Sequence, residues 1–99
     1  MTPRLRFRPQ AQTELREARD WYEARLPGLG LEFARAVDGA LAVVVRMPDA
    51  FPALRPDVRH VVLRRFPYSI LYAYERDDII VLRVHHHRQA PTRWHRRDA

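Results

Sequence analysis

The 99-residue chain is 46% hydrophobic and 30% charged, with 3 glycines, a composition that excludes disorder and fits one domain over residues 1–99. A chain of this size buries roughly 65% of its unfolded surface, enough for one modest core. It contains no cysteine, which excludes a disulfide framework and thiolate chemistry. The formal net charge is +6, and all 18 basic residues are arginine. The charge is lopsided, +1 over residues 1–50 and +5 over residues 51–99, so an electrostatic surface belongs to the second half.

Leu5 and Phe7 alternate with Arg4, Arg6 and Arg8, the period of a short strand that Pro9 closes. Pro9 also suits the first turn of a helix. Ala11, Leu15, Ala18, Tyr22 and Leu26 recur on one helical face, with Arg16/Asp20 and Arg19/Glu23 spaced to pair on the other. Pro27-Gly28 ends this helix. Phe33, Val37, Ala40, Leu41 and Val44 mark a second helix over about Leu29–Met47, antiparallel to the first across the short P-G-L-G break. The segment P-D-A-F-P-A-L-R-P, with three prolines in nine residues, is expected to hold no regular element.

Three strand-like runs follow: Arg59–Arg65, Tyr68–Glu75 and Ile79–His86. The middle run is apolar on both faces, as in a central strand. R-D-D at 76–78 joins it to the last run as a hairpin. The order β-α-α-β-β-β predicts an α+β fold, a helical hairpin packed on a small, mostly antiparallel sheet. No apolar run is long enough for a membrane span, and the N-terminus lacks a signal-peptide core. The expectation is a soluble, cytoplasmic protein.

The closing stretch R-V-H-H-H-R-Q-A-P-T-R-W-H-R-R, residues 83–97, holds five arginines, four of the five histidines and no acid. Strict alternation places Ile80, Leu82, Val84 and His86 under the helices, and Arg83, His85 and His87 together on the opposite face. A metal site finds two ligands in His85 and His87 but no third within residues 79–97; His60 or a distant carboxylate could help, but the surrounding arginines repel a dication. Nucleophilic catalysis lacks a motif around Ser69, Thr2, Thr13 or Thr92. Metal-free RNA cleavage needs acid, base and cations, which His85, His87, Arg83 and Arg88 supply chemically. The bland reading is half-buried histidines at a strand end with solvated arginines around them. Trp94 is either a lid on the core or a contact residue.

Three spaced motifs carry a family resemblance. W-Y-E-x-x-x-P-G-L-G-x-x-F (Trp21 to Phe33), R-H-V-V-L-R-R-F-P-Y-S-I-L-Y (residues 59–72) and V-x-H-x-R-x-x-P-x-x-W (Val84 to Trp94) are similar to the RelE/ParE family of bacterial toxins. The resemblance implies the toxin half of a type II toxin–antitoxin pair with the fold order given above. RelE-like members cleave mRNA on the ribosome; ParE-like members inhibit DNA gyrase without obvious catalysis.

The nucleases of this family carry an arginine after the middle-strand tyrosine, where this chain has Ser69, and a lysine or arginine cluster; this chain has no lysine and no tyrosine after Tyr74. The W-Y-E…P-G-L-G and R-F-P-Y features resemble the ParE side. The resemblance thus implies a gyrase-binding toxin that needs no cofactor and no metal, held by a cognate acidic antitoxin. Arg64, Arg65, Arg83, Arg88 and Trp94 are the expected contacts. If the chain is instead a nuclease, Arg83, His85, His87 and Arg88 are its catalytic candidates, with ribosome and mRNA as partners. A member that only binds its antitoxin is the third alternative.

Overall fold

Pro9 opens the first helix, where its fixed φ and missing N–H carry no penalty. The computed structural model describes residues 2–88. Helix α1 spans Pro9–Arg25 and α2 spans Leu29–Arg46, matching the expected hairpin. Glu23 builds the turn between them: its carboxylate accepts the Gly28 and Gly30 N–H groups, each at 3.0 Å. Gly28 adopts φ 92°, a left-handed conformation that favours glycine. A Cβ on Gly30 would lie 2.7 Å from the Arg19 carbonyl oxygen. The expected Arg19–Glu23 pair therefore gives way. The Glu23 carboxylate faces the exposed N–H groups at the start of α2, which need acceptors.

Five strands form one sheet: β1 (Arg4–Phe7), β2 (Ala53–Arg55), β3 (Val58–Val62), β4 (Tyr68–Glu75) and β5 (Asp78–His86), in the spatial order β1-β5-β4-β3-β2. Only β1 runs parallel to its neighbour, β5. The architecture is the expected α+β arrangement with one strand more. β2 lies within the proline-rich segment that was expected to be irregular. Pro52 and Pro56 flank this strand rather than interrupt it, which an edge strand of three residues tolerates. β3 is shorter than expected because the chain turns at Leu63–Phe66, where the Leu63 N–H reaches the Tyr68 carbonyl at 2.9 Å.

The core lies between the sheet and the helical hairpin. Phe33, Val37, Leu41 and Val44 of α2 and Ala11 and Ala18 of α1 pack with Val61, Ile70, Tyr72, Ile79, Val81 and Val84. A smaller cluster of Val58, Leu71, Ala73, Leu82 and Ile80 lies on the other face of the sheet. Here the strict alternation expected for β5 fails. Tyr72 pairs with Val81 but Leu71 pairs with Arg83, so the register shifts at Leu82. A bulge of this kind exchanges the faces of all residues on one side of it. Ile79 and Val81 thus join the helix-side core and Ile80 and Leu82 the outer face, the reverse of the expectation. Past the bulge the expected sides return: His86 lies with Val84, and His85 opposite Ser69. Among the described residues, no helix is long and apolar enough to cross a membrane.

Candidate functional site

β1 ends before β5 does, which leaves the second half of β5 with a bare edge toward α1. Glu14, in the second turn of α1, fills that gap. Its carboxylate accepts the Val84 N–H at 2.8 Å and the Arg83 Nε–H at 2.8 Å, and lies 2.6 Å from Arg83 Nη2. Both side chains are largely buried, where a charge must be paired. Arg83 was expected to emerge as an exposed contact. It is instead 8% exposed and ion-paired, which corrects its role as a free surface cation.

On the outer face, the register sets His60 of β3, Leu71 of β4 and Arg83 of β5 side by side, with Val62, Ser69 and His85 in the next row. His87 follows the end of β5, and its Nε2 lies 2.9 Å from Ser69 Oγ. Burial, and then the Arg83 guanidinium, hold His85 below the usual imidazole range. Burial, and then His87, do the same to His60. Both rings are therefore neutral near pH 7. Among the described residues no three ligating side chains are grouped to hold a metal ion.

The helix side of the same end of the sheet carries a groove lined by Glu17, Trp21 and Tyr22 of α1 and by Tyr68, His86 and Arg88. Trp21 is 53% exposed, with the Arg25 guanidinium 4.2 Å from its ring centre, a cation–π contact. Behind the groove an aromatic cluster ties hairpin to sheet. Tyr22 meets Phe66 at 4.9 Å and Phe33 at 5.3 Å, Phe33 meets Tyr68 at 5.0 Å, and Tyr68 meets His86 at 4.9 Å. These rings come from all three sequence motifs. W-Y-E…F, R-F-P-Y and V-x-H are far apart in the chain and adjacent in space.

The β3–β4 turn brings Arg64 and Arg65 to this end as well, since the His87 N–H bonds the Pro67 carbonyl at 2.9 Å. Both arginines are exposed, and Arg65 pairs with Glu32 of α2. Arg88 is exposed on the groove. Of the expected contacts, then, Arg64, Arg65 and Arg88 share one end of the molecule, Arg83 is withdrawn to Glu14, and Trp94 lies outside the described residues. His85 and His87 do share the outer face, although His85 is buried and His87 exposed. Sequence reasoning missed Glu14 and the exposure of Trp21, and considered His60 only as a further metal ligand. Glu14 gave one signal: an acid on α1 that has no basic residue three or four positions away.

Comparison with known proteins agrees with this geometry. The model of the ParE toxin of type II toxin–antitoxin systems, parDE, matches residues 5–91. Toxin ParE2 of Mycobacterium tuberculosis is 30% identical over 92 residues, covering 92% of this chain and 88% of that protein. The chromosomal ParDE system from P. aeruginosa contains a chain with the same fold (TM-score 0.75, 20% identity, 86% of this chain and 96% of that chain). The isolated E. coli RelE toxin also shares the fold, with a TM-score of 0.67, 19% identity, and coverage of 97% of this chain and 96% of that one. The family match spans both helices and all five strands but for Arg4 at the start of β1, and on that basis the chain belongs to the ParE toxin family of type II toxin–antitoxin systems.

Proposed function

We propose that this chain is a ParE-like toxin, neutralised in the cytoplasm by a cognate antitoxin and acting, when released, by binding and inhibiting DNA gyrase. The observation that carries the reading is the family match over residues 5–91, which includes the turn, the aromatic cluster and the groove. The exposed basic end supports binding more readily than cleavage. Arg83, the strand arginine nearest the histidines, is engaged by Glu14, and Ser69 stands where family nucleases place an arginine.

The antitoxin segment expected here is acidic and amphipathic. Its apolar side suits Trp21, Tyr22 and Tyr68, and its acids suit Arg64, Arg65 and Arg88. Exposed charges of this kind contribute steering and specificity more than net affinity. A supercoiling assay with purified gyrase and antitoxin-free protein tests the reading: inhibition is expected, and none at large molar excess overturns it.

One observation favours a second reading, ribosome-dependent mRNA cleavage. The Ser69–His87 hydrogen bond and the neighbouring His85 are groups that can move a proton. Primer extension on mRNA from cells expressing the chain separates the two, since codon-linked cuts that vanish in a His85→Ala/His87→Ala variant arise only from the nuclease. A chain that leaves growth unchanged on induction is a member that binds antitoxin alone.

A further inference from the structure

The two faces of the sheet are covered unequally by the described residues. Both helices pack on one face. The outer face carries Val58, Leu71, Ala73 and Leu82, drawn from β3, β4 and β5, and no helix residue joins them. These side chains are nonetheless buried: Leu71 is 1% exposed, Val58 3% and Leu82 6%. In the adjoining rows Nδ1 of His60, Nη1 of Arg83 and Nδ1 of His85 are sealed from solvent as well. Side chains stand up from a sheet, so a bare face does not bury a leucine this completely. A second layer has to lie over it.

No described segment supplies that layer. The loop at residues 48–51 is on the helix side, where the Pro48 carbonyl accepts the Tyr72 hydroxyl at 2.8 Å and Phe51 packs on the main core. The turn at residues 63–66 sends Leu63 and Phe66 into that same core. β1 lies beside β5 rather than above it. What remains is Met1, which precedes Arg4 at the far end of β5, and residues 89–99.

We propose that the outer face of the sheet is a docking surface for this chain's own residues 89–99, with the Trp94 indole seated over Leu71 and Leu82. The chain leaves β5 from this face, since His87 Nε2 lies 2.9 Å from Ser69 Oγ. It turns there, with the Arg88 N–H donating to His86 Nδ1 at 2.9 Å. The length is sufficient. Leu82 lies back along β5 from His87 by roughly 17 Å, and the stretch from Arg88 to Trp94 spans up to about 20 Å when extended. Trp94 is the one large apolar side chain in Q-A-P-T-R-W-H-R-R-D-A, and an aromatic ring system of this size covers about 200 Å². The helix-side groove is the competing seat, but its wall is open, with Trp21 53% exposed, whereas the outer face is closed. Docked on the outer face, the segment withdraws an apolar surface that would otherwise favour self-association. It also leaves the groove free for a partner.

The inference rests on burial and not on the toxin reading, and its test involves neither gyrase nor growth. It uses the full-length, antitoxin-free chain. In a Trp21→Phe variant Trp94 is the only tryptophan. Its emission should lie to the blue of the urea-unfolded chain, and acrylamide should quench it at least about threefold less than in urea. Nuclear Overhauser contacts should join the Trp94 indole to the methyl groups of Leu71 and Leu82. Trp94→Ala should move those methyl resonances and leave those of Leu41, on the helix side, in place. Should Trp94→Ala not fold, Trp94→Phe gives the same readout with smaller shifts. An indole as quenchable as in urea overturns the docking. Contacts from Trp94 to Trp21 or Tyr22 in the parent chain overturn it in favour of the groove. Contacts seen only between differently labelled chains overturn it in favour of a second copy.

Discussion

Glu14 and Arg83 are 69 residues apart in sequence and joined in space through two guanidinium nitrogens at 2.8 and 2.6 Å, with the Val84 N–H held by the same carboxylate at 2.8 Å. The carboxylate completes the edge of β5 where β1 stops. It also fixes the first helix against the strand that carries the histidines. Removing one partner of a buried pair leaves an uncompensated charge, a cost of about 3–5 kcal/mol. Glu14→Ala should therefore destabilise the chain by about 3 kcal/mol or more in urea unfolding. The double variant Glu14→Leu/Arg83→Met should recover part of that loss, because no charge is then left unpaired although the Val84 N–H still lacks its acceptor. A Glu14→Ala variant as stable as the parent would show that the pair is solvated and contributes little.

The turn between the helices is equally specific. Gly30→Ala places a Cβ 2.7 Å from the Arg19 carbonyl oxygen and 2.9 Å from Glu23 Oε1, and neither the helix backbone nor the capping carboxylate can give way cheaply. Overpacking of this kind costs about 1–3 kcal/mol. Gly39→Ala is the control, since nothing lies within 4 Å of the added Cβ. In mid-helix it should stabilise by up to about 1 kcal/mol. Opposite signs for the two substitutions in thermal unfolding are the expected result.

These two features show what could and could not be read from the chain. Period and punctuation placed α1, α2, β4 and the hairpin turn closely, because Pro9, Pro27-Gly28 and Arg76-Asp77 act locally. β2 was missed because prolines on either side of three residues look the same as prolines within a loop. The β5 bulge was missed because its cause is pairing with β4, and nothing in I-I-V-L-R-V shows where a residue is inserted. Of the site, the concentration of Arg64, Arg65, Arg88 and the histidines at one end was legible from charge. The Arg83–Glu14 pair was not, since it depends on where the edge of β5 is left open. The motifs behind the family resemblance turn out to supply the aromatic cluster and the helix turn, so their agreement speaks first to the fold.

Within that cluster, Phe33 is fully buried and Phe66 nearly so, and both touch Tyr22. Phe33→Ala should cost about 3–5 kcal/mol, in the range for truncating a buried aromatic. Phe66→Leu should cost less, because a branched side chain refills part of the space. Since Tyr68 and Tyr22 line the groove, Phe66→Leu should also weaken antitoxin binding in a pull-down at a temperature where it remains folded. Antitoxin affinity unchanged in folded Phe66→Leu would place the antitoxin elsewhere on the molecule.

Exposed arginines predict a kinetic signature. Reversing Arg64 and Arg65 to glutamate removes steering of an acidic partner and should slow association about tenfold at low salt, with little change in dissociation. The difference should shrink as salt is raised, because exposed charges are screened beyond about 10 Å at 0.1 M. Loss of the Arg65–Glu32 pair should itself cost no more than about 1 kcal/mol of stability, both side chains being exposed. A change confined to the dissociation rate would indicate that these arginines are buried in the complex.

The histidines predict how stability responds to acid. His60, His85 and His86 are all held below the ordinary imidazole value of 6.5, each chiefly by burial. Their charged forms are thus less favourable in the folded chain than in the unfolded one. As pH falls through 6.5 the unfolded chain takes up protons that the folded chain does not, so stability declines. The decline ends once the pH passes below the folded values. Its steepness approaches about 1.4 kcal/mol per pH unit for each proton so linked. Urea unfolding at about pH 7.5, 6.5 and 5.5, in buffer free of phosphate, should show this loss. The His60→Leu/His85→Leu variant should show a flatter profile, retaining only the share due to His86. Stability that rises as pH falls would mean that the imidazoles gain an acidic partner on folding, and would contradict the burial that holds them neutral.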